Sequence, residues 1–310
     1  MKYTLRAVTI VLVASGCALN SHMSPRHPAT MDQLWQEPRN LAQRDLLVGE
    51  FDRDFAPDPR GRFEVTGTKT TGTQSGYDVK DSTGREWSVK FGVEARVEVT
   101  VSRILHAIGY HQPPVYYVPK WTRVENGKSV SEEPARFRLE PTSLKKKGEW
   151  SWTDNPFVGT QPLAGLFTVM VLFNNWDLKA AQNAIYQSQA DGRSPQTWYL
   201  VRDLGASLGK TAWIHRASKA DTAAFTAEGF IARVEGNRVH FSYNGSWLEP
   251  RVHAIATPAD VRWACGLLAR LSLQQWHDAF RAGGFTEAEA TAYIKRLREK
   301  IAEGQRLGWS

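Results

Sequence analysis

Cysteine is scarce in this sequence, which has only Cys17 and Cys265 in 310 residues. If Cys17 carries a lipid, as argued below, Cys265 has no cysteine partner, and no intrachain disulfide can form. Cys265 falls in the apolar helical stretch Val261–Leu271, which predicts a buried free thiol. Stability must then come from packing, for which 42% hydrophobic residues and 12 tryptophans supply ample core material.

Long runs of one charge and clusters of catalytic residue types are also missing. The formal net charge is +7, but the only basic run is Lys145–Lys147, so the sequence does not indicate a nucleic-acid partner. It contains neither a zinc-ligand cluster nor the nucleophile motif of a serine hydrolase. Metallohydrolase and serine-esterase functions therefore have no residues to support them.

The start of the chain resembles a bacterial targeting segment that is too short to span a bilayer. Lys2 and Arg6 precede the apolar stretch Ala7–Ala14, and Ala14–Cys17 resembles a lipoprotein cleavage box. We expect lipidation of Cys17 and attachment to the bacterial cell envelope, facing the periplasm or the exterior. The alternative is an ordinary cleaved signal peptide, which would give a secreted protein in which Cys17 is incidental.

We expect residues 1–16 to be this leader and residues 17–60 a tether and N-terminal extension. A first lobe is predicted over residues 61–140, where period-two alternation indicates five strands of an antiparallel sheet. These strands are Phe63–Thr66, Tyr77–Asp81, Glu86–Phe91, Val115–Val118 and Arg136–Leu139. The connection between the first two strands contains Gly67, Gly72 and Gly76.

A helix over Val93–Ile108 is predicted directly after the third strand, which contains Lys90 near its end. Glu94 and Glu98 lie one turn apart and project from the same side of this helix. Glu98 is the preferred partner for Lys90, because Glu94 lies in the first turn, where it favours the helix dipole.

A mainly helical second lobe is predicted over residues 141–310. Its first helix begins at Thr160, runs over Leu163–Phe173 and is apolar nearly all round, which predicts a buried helix. This helix leads into the polar stretch Asn174–Asn183. Two hairpins and three terminal helices with cap residues at their starts are predicted to follow.

The stretch Asn174–Asn183 and the later Asp203–Gly205 resemble the catalytic loop and the metal-binding Asp of protein kinases. The similarity is to atypical kinase-fold families: toxin, phosphatidylinositol, secretory-pathway and spore-coat kinases. It covers roughly residues 63–206 and rests on the order and spacing of short motifs. The resemblance implies an α+β fold with two lobes, the first a sheet with one helix and the second mainly helical.

The resemblance also implies a role for each matching residue. Asp177 would align or deprotonate the acceptor, Lys179 would steady the transferred phosphate, and Asp203 would bind metal. Lys90 and Glu98 would grip the nucleotide phosphates. Gly72 and Gly76 would let backbone amides approach these phosphates.

Two departures from the kinase pattern concern the loop itself. The amide ligand of the metal falls on Gln182 by spacing, whereas the expected Asn is one residue later, at Asn183. Either residue could be the ligand. The usual His or Tyr and Arg before the catalytic Asp are replaced by Asn175 and Trp176, which favours an atypical kinase.

Three functions follow from these patterns. The first is an exported kinase that binds ATP or another nucleotide with Mg²⁺ or Mn²⁺ and phosphorylates a protein, a glycan or a small molecule. The second function is that of an inactive pseudokinase scaffold, which the scarcity of ATP outside the cytoplasm favours. The third is a non-kinase envelope lipoprotein in which these Asp and Lys residues are structural.

Overall fold

A computed structural model describes the chain. The described residues are 29–49, 55–69, 75–140, 143–188, 194–213, 216–245 and 255–308. The predicted leader with Cys17 and the glycine-rich connection with Gly72 lie outside these ranges.

A seven-stranded sheet forms the first half of the described chain. Its strands β1 to β7 are Arg62–Lys69, Gly76–Lys80, Glu86–Phe91, Val115–Val118, Trp121–Glu125, Lys128–Glu132 and Ala135–Leu139. Their order in space is β4-β7-β3-β2-β1-β5-β6. All neighbours pair antiparallel except β1 and β5, which pair in parallel. The predicted α+β class is confirmed, but the sheet has two strands more than predicted and one parallel pairing.

The additional strands β5 and β6 form a hairpin between the predicted strands Val115–Val118 and Arg136–Leu139. Asn126 and Gly127 have positive φ angles of 50° and 75°, as two-residue hairpin turns require. Lys128–Glu132 is exposed at four of its five residues, so it lies at the sheet edge without a buried face. The strand was missed because it lacks the apolar alternation that marks half-buried strands.

A cluster of aromatic rings fills the core on one face of this sheet. Phe63, Trp87, Trp121 and Phe137 are each at most 1% exposed. The ring of Phe137 lies 4.9 Å from that of Phe63 and 5.1 Å from that of Trp121, centroid to centroid. Aromatic pairs at such spacings stabilise a core beyond the area that they bury.

Helix α1, Val93–Ala107, lies against the sheet and connects it to the rest of the molecule. Gly92 precedes it with a φ of 81° and turns the chain from β3 into the helix. Gly109 follows it with a φ of 100°, and a Cβ there would lie only 2.0 Å from the carbonyl oxygen of Gln36. Glycines therefore define both ends of α1.

The second half of the described chain is mainly helical. Helices α2 to α6 are Gln161–Leu172, Thr222–Ala227, Pro258–Ala269, Leu273–Ala282 and Glu287–Gln305. Strands β8 to β12 are Leu144–Gly148, Asn183–Ser188, Thr197–Val201, Ile231–Glu235 and Arg238–Phe241. β9 lies between β8 and β10 in one small sheet, and β11 pairs with β12. Thr257, Ser272 and Thr286 form capping boxes at the three terminal helices, as expected for strong helix starts.

Helix α2 is the buried centre of this half. Ten consecutive residues from Leu163 to Leu172 are buried, and the Thr160 hydroxyl accepts a hydrogen bond from the Leu163 amide at the start. α4 packs along α2, and Cys265 on α4 is fully buried, as predicted. Burial raises the pKa of this thiol to about 12, so it stays protonated at neutral pH.

Part of the segment predicted as a tether and N-terminal extension, within the described residues 29–49, packs into the folded core. Leu34, Leu41 and Leu46 are each at most 3% exposed and join the core around α1 and α2. Leu41–Gln43 forms a short 3-10 turn. Within the described ranges, no helix combines the length and the apolar character needed to cross a membrane.

Candidate active site

The centre of the candidate site is Lys90, near the end of β3. Its ammonium forms an ion pair with the Glu94 carboxylate, and its Nζ lies 3.8 Å from Oε2 of Glu98. The turn at Gly92 folds the first turn of α1 back towards β3, which brings Glu94 nearer than the preferred partner Glu98. Both carboxylates are almost fully buried.

Glu98 is held mainly by two arginines that the sequence analysis missed. Nε of Arg136 lies 3.0 Å from Oε1 of Glu98, and Nη1 of Arg138 lies 3.7 Å from the same oxygen. Both arginines are on β7, where Arg136 is the cross-strand partner of Lys90. The alternation of Arg136, Phe137 and Arg138 was the available signal, because it places both cations on one face of a strand.

Asp203 meets Lys90 from the other half of the chain. It follows β10, and its Oδ1 accepts a hydrogen bond of 3.1 Å from Nζ of Lys90. Burial raises the pKa of Asp203, but Lys90, Arg136 and Arg138 lower it further, so that the net pKa is below the usual value. Burial lowers the pKa of Lys90, and Glu98, Asp203 and Glu94 raise it well above its usual range. Both groups are therefore charged at neutral pH.

Helix α2 delivers Asp177 through a tightly bonded loop. Asn174 adopts a positive φ of 56° directly after the helix, and Asn175 is fully buried. The side-chain oxygen of Asn175 accepts a hydrogen bond of 3.0 Å from the Asp177 backbone N–H. The backbone carbonyl oxygen of Asn175 accepts another from the Tyr243 hydroxyl. The Trp176 indole donates to the carbonyl of Ser218 at 3.2 Å. Asn175 and Trp176 thus fix the loop through their own contacts.

The predicted catalytic pair Asp177 and Lys179 is in direct contact. Oδ2 of Asp177 accepts hydrogen bonds from Nζ of Lys179 at 3.0 Å and from Nε2 of Gln182 at 2.9 Å. Its other oxygen, Oδ1, is buried and has no hydrogen-bond partner in the part of the chain that the structure describes. One carboxylate oxygen is therefore held in place, and the other keeps its acceptor capacity.

The two amides proposed as metal ligands have different surroundings. Gln182 lines the same cavity as Asp203. The backbone carbonyl oxygen of Gln182 accepts a hydrogen bond of 2.8 Å from the Arg202 backbone N–H. Asn183 is buried at the start of β9, where its Nδ2 donates to the carbonyl of Trp150 at 3.0 Å. Gln182, and not Asn183, is thus the amide beside Asp203.

The cavity around these residues has a volume of about 290 Å³ and is strongly cationic. Gly76 lines it, and a Cβ there would lie 2.3 Å from the carbonyl oxygen of Val89. The five cationic and two acidic side chains in its wall are Lys69, Lys90, Arg136, Arg138, Arg202, Glu98 and Asp203. Such an excess of cations over carboxylates suits a polyanion such as a phosphate chain.

The donor set also bears on metal binding. Within the described ranges, no group of three or more His, Cys, Asp or Glu residues is placed to hold a metal ion. Asp203 and Gln182 offer one carboxylate and one amide oxygen. Mg²⁺ binds in this way, through one or two carboxylates together with substrate phosphates and water. The residues fit a metal that arrives with a nucleotide.

A further contact that the sequence analysis missed joins α1 to the segment after Asp203. Lys219 forms an ion pair with the Glu94 carboxylate, and its ammonium lies 5.2 Å from the centre of the Trp176 ring. Glu94 therefore lies between Lys90 and Lys219. No local pattern in the sequence marks Lys219, because its partner is 125 residues away.

The elements around the cleft follow the order that the resemblance to kinases implies. A sheet strand presents Lys90, the following helix presents glutamates, a buried helix leads to Asp177, and the hairpin β9–β10 ends at Asp203. The fold is α+β and kinase-like.

Solved structures with detected similarity to the chain include three kinases. The Helicobacter pylori proinflammatory kinase CtkA is 10% identical, with 80% of this chain and 98% of that chain covered and a TM-score of 0.49. The Golgi casein kinase is 9% identical, with coverages of 83% and 76% and a TM-score of 0.43. The Rio2 kinase from Chaetomium thermophilum is 12% identical, with coverages of 78% and 72% and a TM-score of 0.34. No family model and no curated protein matches the sequence.

Proposed function

We propose that this chain is an atypical kinase that binds a nucleoside triphosphate in the cleft and transfers its terminal phosphoryl group to a hydroxyl acceptor. The observation that carries the proposal is the position of Lys90, which contacts Glu94 of the first lobe and Asp203 of the second. A cation held between a helix carboxylate and a metal-binding carboxylate is the arrangement on which kinase activity depends.

Each part of the site has a task in this reaction. Lys90 and the arginines of β7 bind the phosphates, and Asp203 with Gln182 would hold Mg²⁺ or Mn²⁺, which when bound neutralises phosphate charge. Asp177 orients the acceptor hydroxyl and takes its proton on the unpartnered Oδ1. The acceptor oxygen bonds to the γ-phosphorus, the bond to the β–γ bridging oxygen breaks, and the nucleoside diphosphate leaves. Lys179 offsets the charge that develops on the transferred group.

An inactive scaffold that keeps the phosphate site is the second candidate. The cavity wall offers few apolar side chains, chiefly Val89 and Ala181, for a nucleobase to contact. The acceptor in the active case is a protein, a glycan or a small molecule, and a nucleotide other than ATP is equally compatible with a polar cavity. No nucleic-acid partner is proposed.

We also propose that the chain is lipid-anchored at the bacterial cell envelope through Cys17. The support is the leader sequence described above: two basic residues, a short apolar stretch and small residues before the cysteine.

A thermal-shift titration with ATP, GTP and ADP, with and without Mg²⁺ or Mn²⁺, tests nucleotide binding. We expect a metal-dependent rise in melting temperature that Lys90→Met and Asp203→Asn each abolish. Lys80→Met is the matched control, because Lys80 is on the neighbouring strand and pairs with Glu86 at 3.3 Å. No shift with any nucleotide would overturn both the kinase and the phosphate-binding scaffold.

Transfer of labelled γ-phosphate then separates the two candidates. An active kinase labels itself or an acceptor in an extract of the source cells, and Asp177→Asn should lower the rate at least a hundredfold while leaving the thermal shift in place. Nucleotide binding without any transfer would favour the scaffold.

A further inference from the structure

A second large cavity, separate from the cleft, lies where the N-terminal segment packs against α1. Its volume is about 950 Å³, within the range of small-molecule sites, and it shares no lining residue with the cleft cavity. Trp35 and Leu46 contribute apolar surface to its wall, and Arg103 from the second half of α1 contributes a guanidinium.

Arg103 is the unusual feature of this cavity. Only 6% of the residue is exposed, yet no described residue forms an ion pair or a hydrogen bond with its guanidinium, and its Nε is buried without a partner. The guanidinium lies 5.1 Å from the centre of the Tyr116 ring. Burial lowers the pKa of Arg103 to about 10, with Tyr116 and Asp45 acting in the opposite direction, so the group remains cationic at neutral pH.

None of the three described acidic side chains in the cavity wall forms an ion pair with Arg103. Asp45 accepts hydrogen bonds from the backbone amides of Leu47 and Val48 at 2.8 and 3.0 Å, and its carboxylate forms no ion pair with Arg103. Glu37 pairs with Arg270 at 3.1 Å. Asp32, the remaining acid in the wall, is an exposed residue.

The backbone at Gly49 packs closely against the guanidinium in the cavity wall. Gly49, with a φ of 92°, lies so close to Arg103 that a Cβ would be 1.9 Å from Nη1. Arg44 also lines the cavity, and its Nη1 donates to the carbonyl of His106 at 2.5 Å. Buried charges in proteins are normally paired, because an unpaired one loses its hydration without compensation.

We propose that this cavity binds a small organic anion whose carboxylate or phosphate group pairs with Arg103 and whose apolar part lies against Trp35 and Leu46. The planar fork of an arginine suits both anionic groups, because each can accept two parallel hydrogen bonds. The site is independent of the proposed nucleotide site and is tested without nucleotide.

Four probes separate the charge from the apolar part: phenyl phosphate, benzoate, benzyl alcohol and inorganic phosphate. In calorimetric titrations of the full chain, we expect phenyl phosphate or benzoate to bind at least tenfold more tightly than benzyl alcohol and inorganic phosphate. Absence of binding by all four probes would overturn the proposal.

Variants assign the binding to this cavity. Arg103→Met should weaken binding at least tenfold and Arg103→Lys should restore part of it, whereas Lys90→Met and the exposed control Arg60→Met should leave it unchanged. Loss of binding in Lys90→Met with retention in Arg103→Met would place the anion in the cleft instead and overturn the proposal.

The melting temperature of unliganded Arg103→Met provides an independent measurement. Because no described residue pairs with the replaced charge, we expect at most the small decrease that loss of the contact with the Tyr116 ring causes, with circular dichroism checking that the variant is folded. Glu50, Asp52 and Asp54 follow Gly49 in the sequence. A clear decrease would mean that a carboxylate of the chain itself already neutralises Arg103, and it would overturn the proposal.

Discussion

Nζ of Lys300 donates a hydrogen bond of 2.8 Å to Oδ1 of Asn174, which lies three residues before Asp177. The same ammonium lies 3.3 Å from the carbonyl oxygen of Leu172, the last residue of α2, and 4.3 Å from the centre of the Phe225 ring. Lys300 is fully buried on α6. The last helix thus fixes the residue at which α2 passes into the loop that contains Asp177.

Lys300 should make the stability of the chain depend on pH. Burial, with a smaller effect of Arg296, lowers its pKa from 10.5 to about 7, although Glu228 and Glu303 act in the opposite direction. Between these two values the unfolded chain binds more protons than the folded one, so the free energy of unfolding should rise with pH from about 7 upward. Lys300 contributes up to about 1.4 kcal/mol per pH unit in that window.

Urea unfolding at pH 6 to 10 measures this effect. The Lys300→Met variant should lose the Lys300 contribution to the slope of the free energy of unfolding against pH. The Lys295→Met variant should keep it, because Lys295 is an exposed residue of the same helix. Equal slopes for the two variants would contradict a lowered pKa at Lys300.

Glu98 should contribute more to the stability of the fold than to phosphate binding. Its carboxylate is 2% exposed and faces Lys90, Arg136 and Arg138, so Glu98→Gln leaves buried cations without their counter-charge. Removing one member of a buried ion pair typically costs about 3 kcal/mol or more. Chemical unfolding should show a loss of this size, against little change for the half-exposed control Glu86→Gln. A loss below about 1 kcal/mol would mean that the arginines find other partners.

Substitutions of Gln182 and of Asn183 should have separable effects on metal binding and on stability. Gln182→Ala removes the amide beside Asp203, so we expect the metal-dependent part of the nucleotide thermal shift to shrink at nearly unchanged stability. Asn183→Ala removes a buried hydrogen bond to Trp150 and should cost about 1–3 kcal/mol with the metal dependence intact. If Asn183→Ala instead reduced the metal-dependent shift and Gln182→Ala left it intact, Asn183 would be the metal ligand.

Cys17 should determine where the chain resides in a bacterial host. We expect incorporation of labelled fatty acid and recovery in the membrane fraction, both lost in Cys17→Ser. Cys265→Ser is the control, because this buried thiol is on α4 and is inaccessible to a lipid-transferring enzyme. A soluble, cleaved product from the unaltered chain would support the secreted alternative.

The sequence alone was sufficient for the parts of the structure that depend on short-range interactions. The apolar spacing predicted α1 and the buried α2, and cap residues such as Thr286 marked where the terminal helices begin, since these features follow from bonds within a few residues. The order of Lys90, Asp177 and Asp203 along the chain was likewise enough to suggest a kinase-like arrangement.

Tertiary packing decided which of these side chains meet. Lys90 and Asp203 are 113 residues apart, and their contact depends on how the two halves of the chain pack. The turn at Gly92 brought Glu94 nearer to Lys90 than Glu98. The entry into β9 placed Gln182 in the cleft and Asn183 in the core. Local patterns encode faces and ends of elements, whereas contacts such as that of Lys300 with Asn174 arise only when distant elements are packed together.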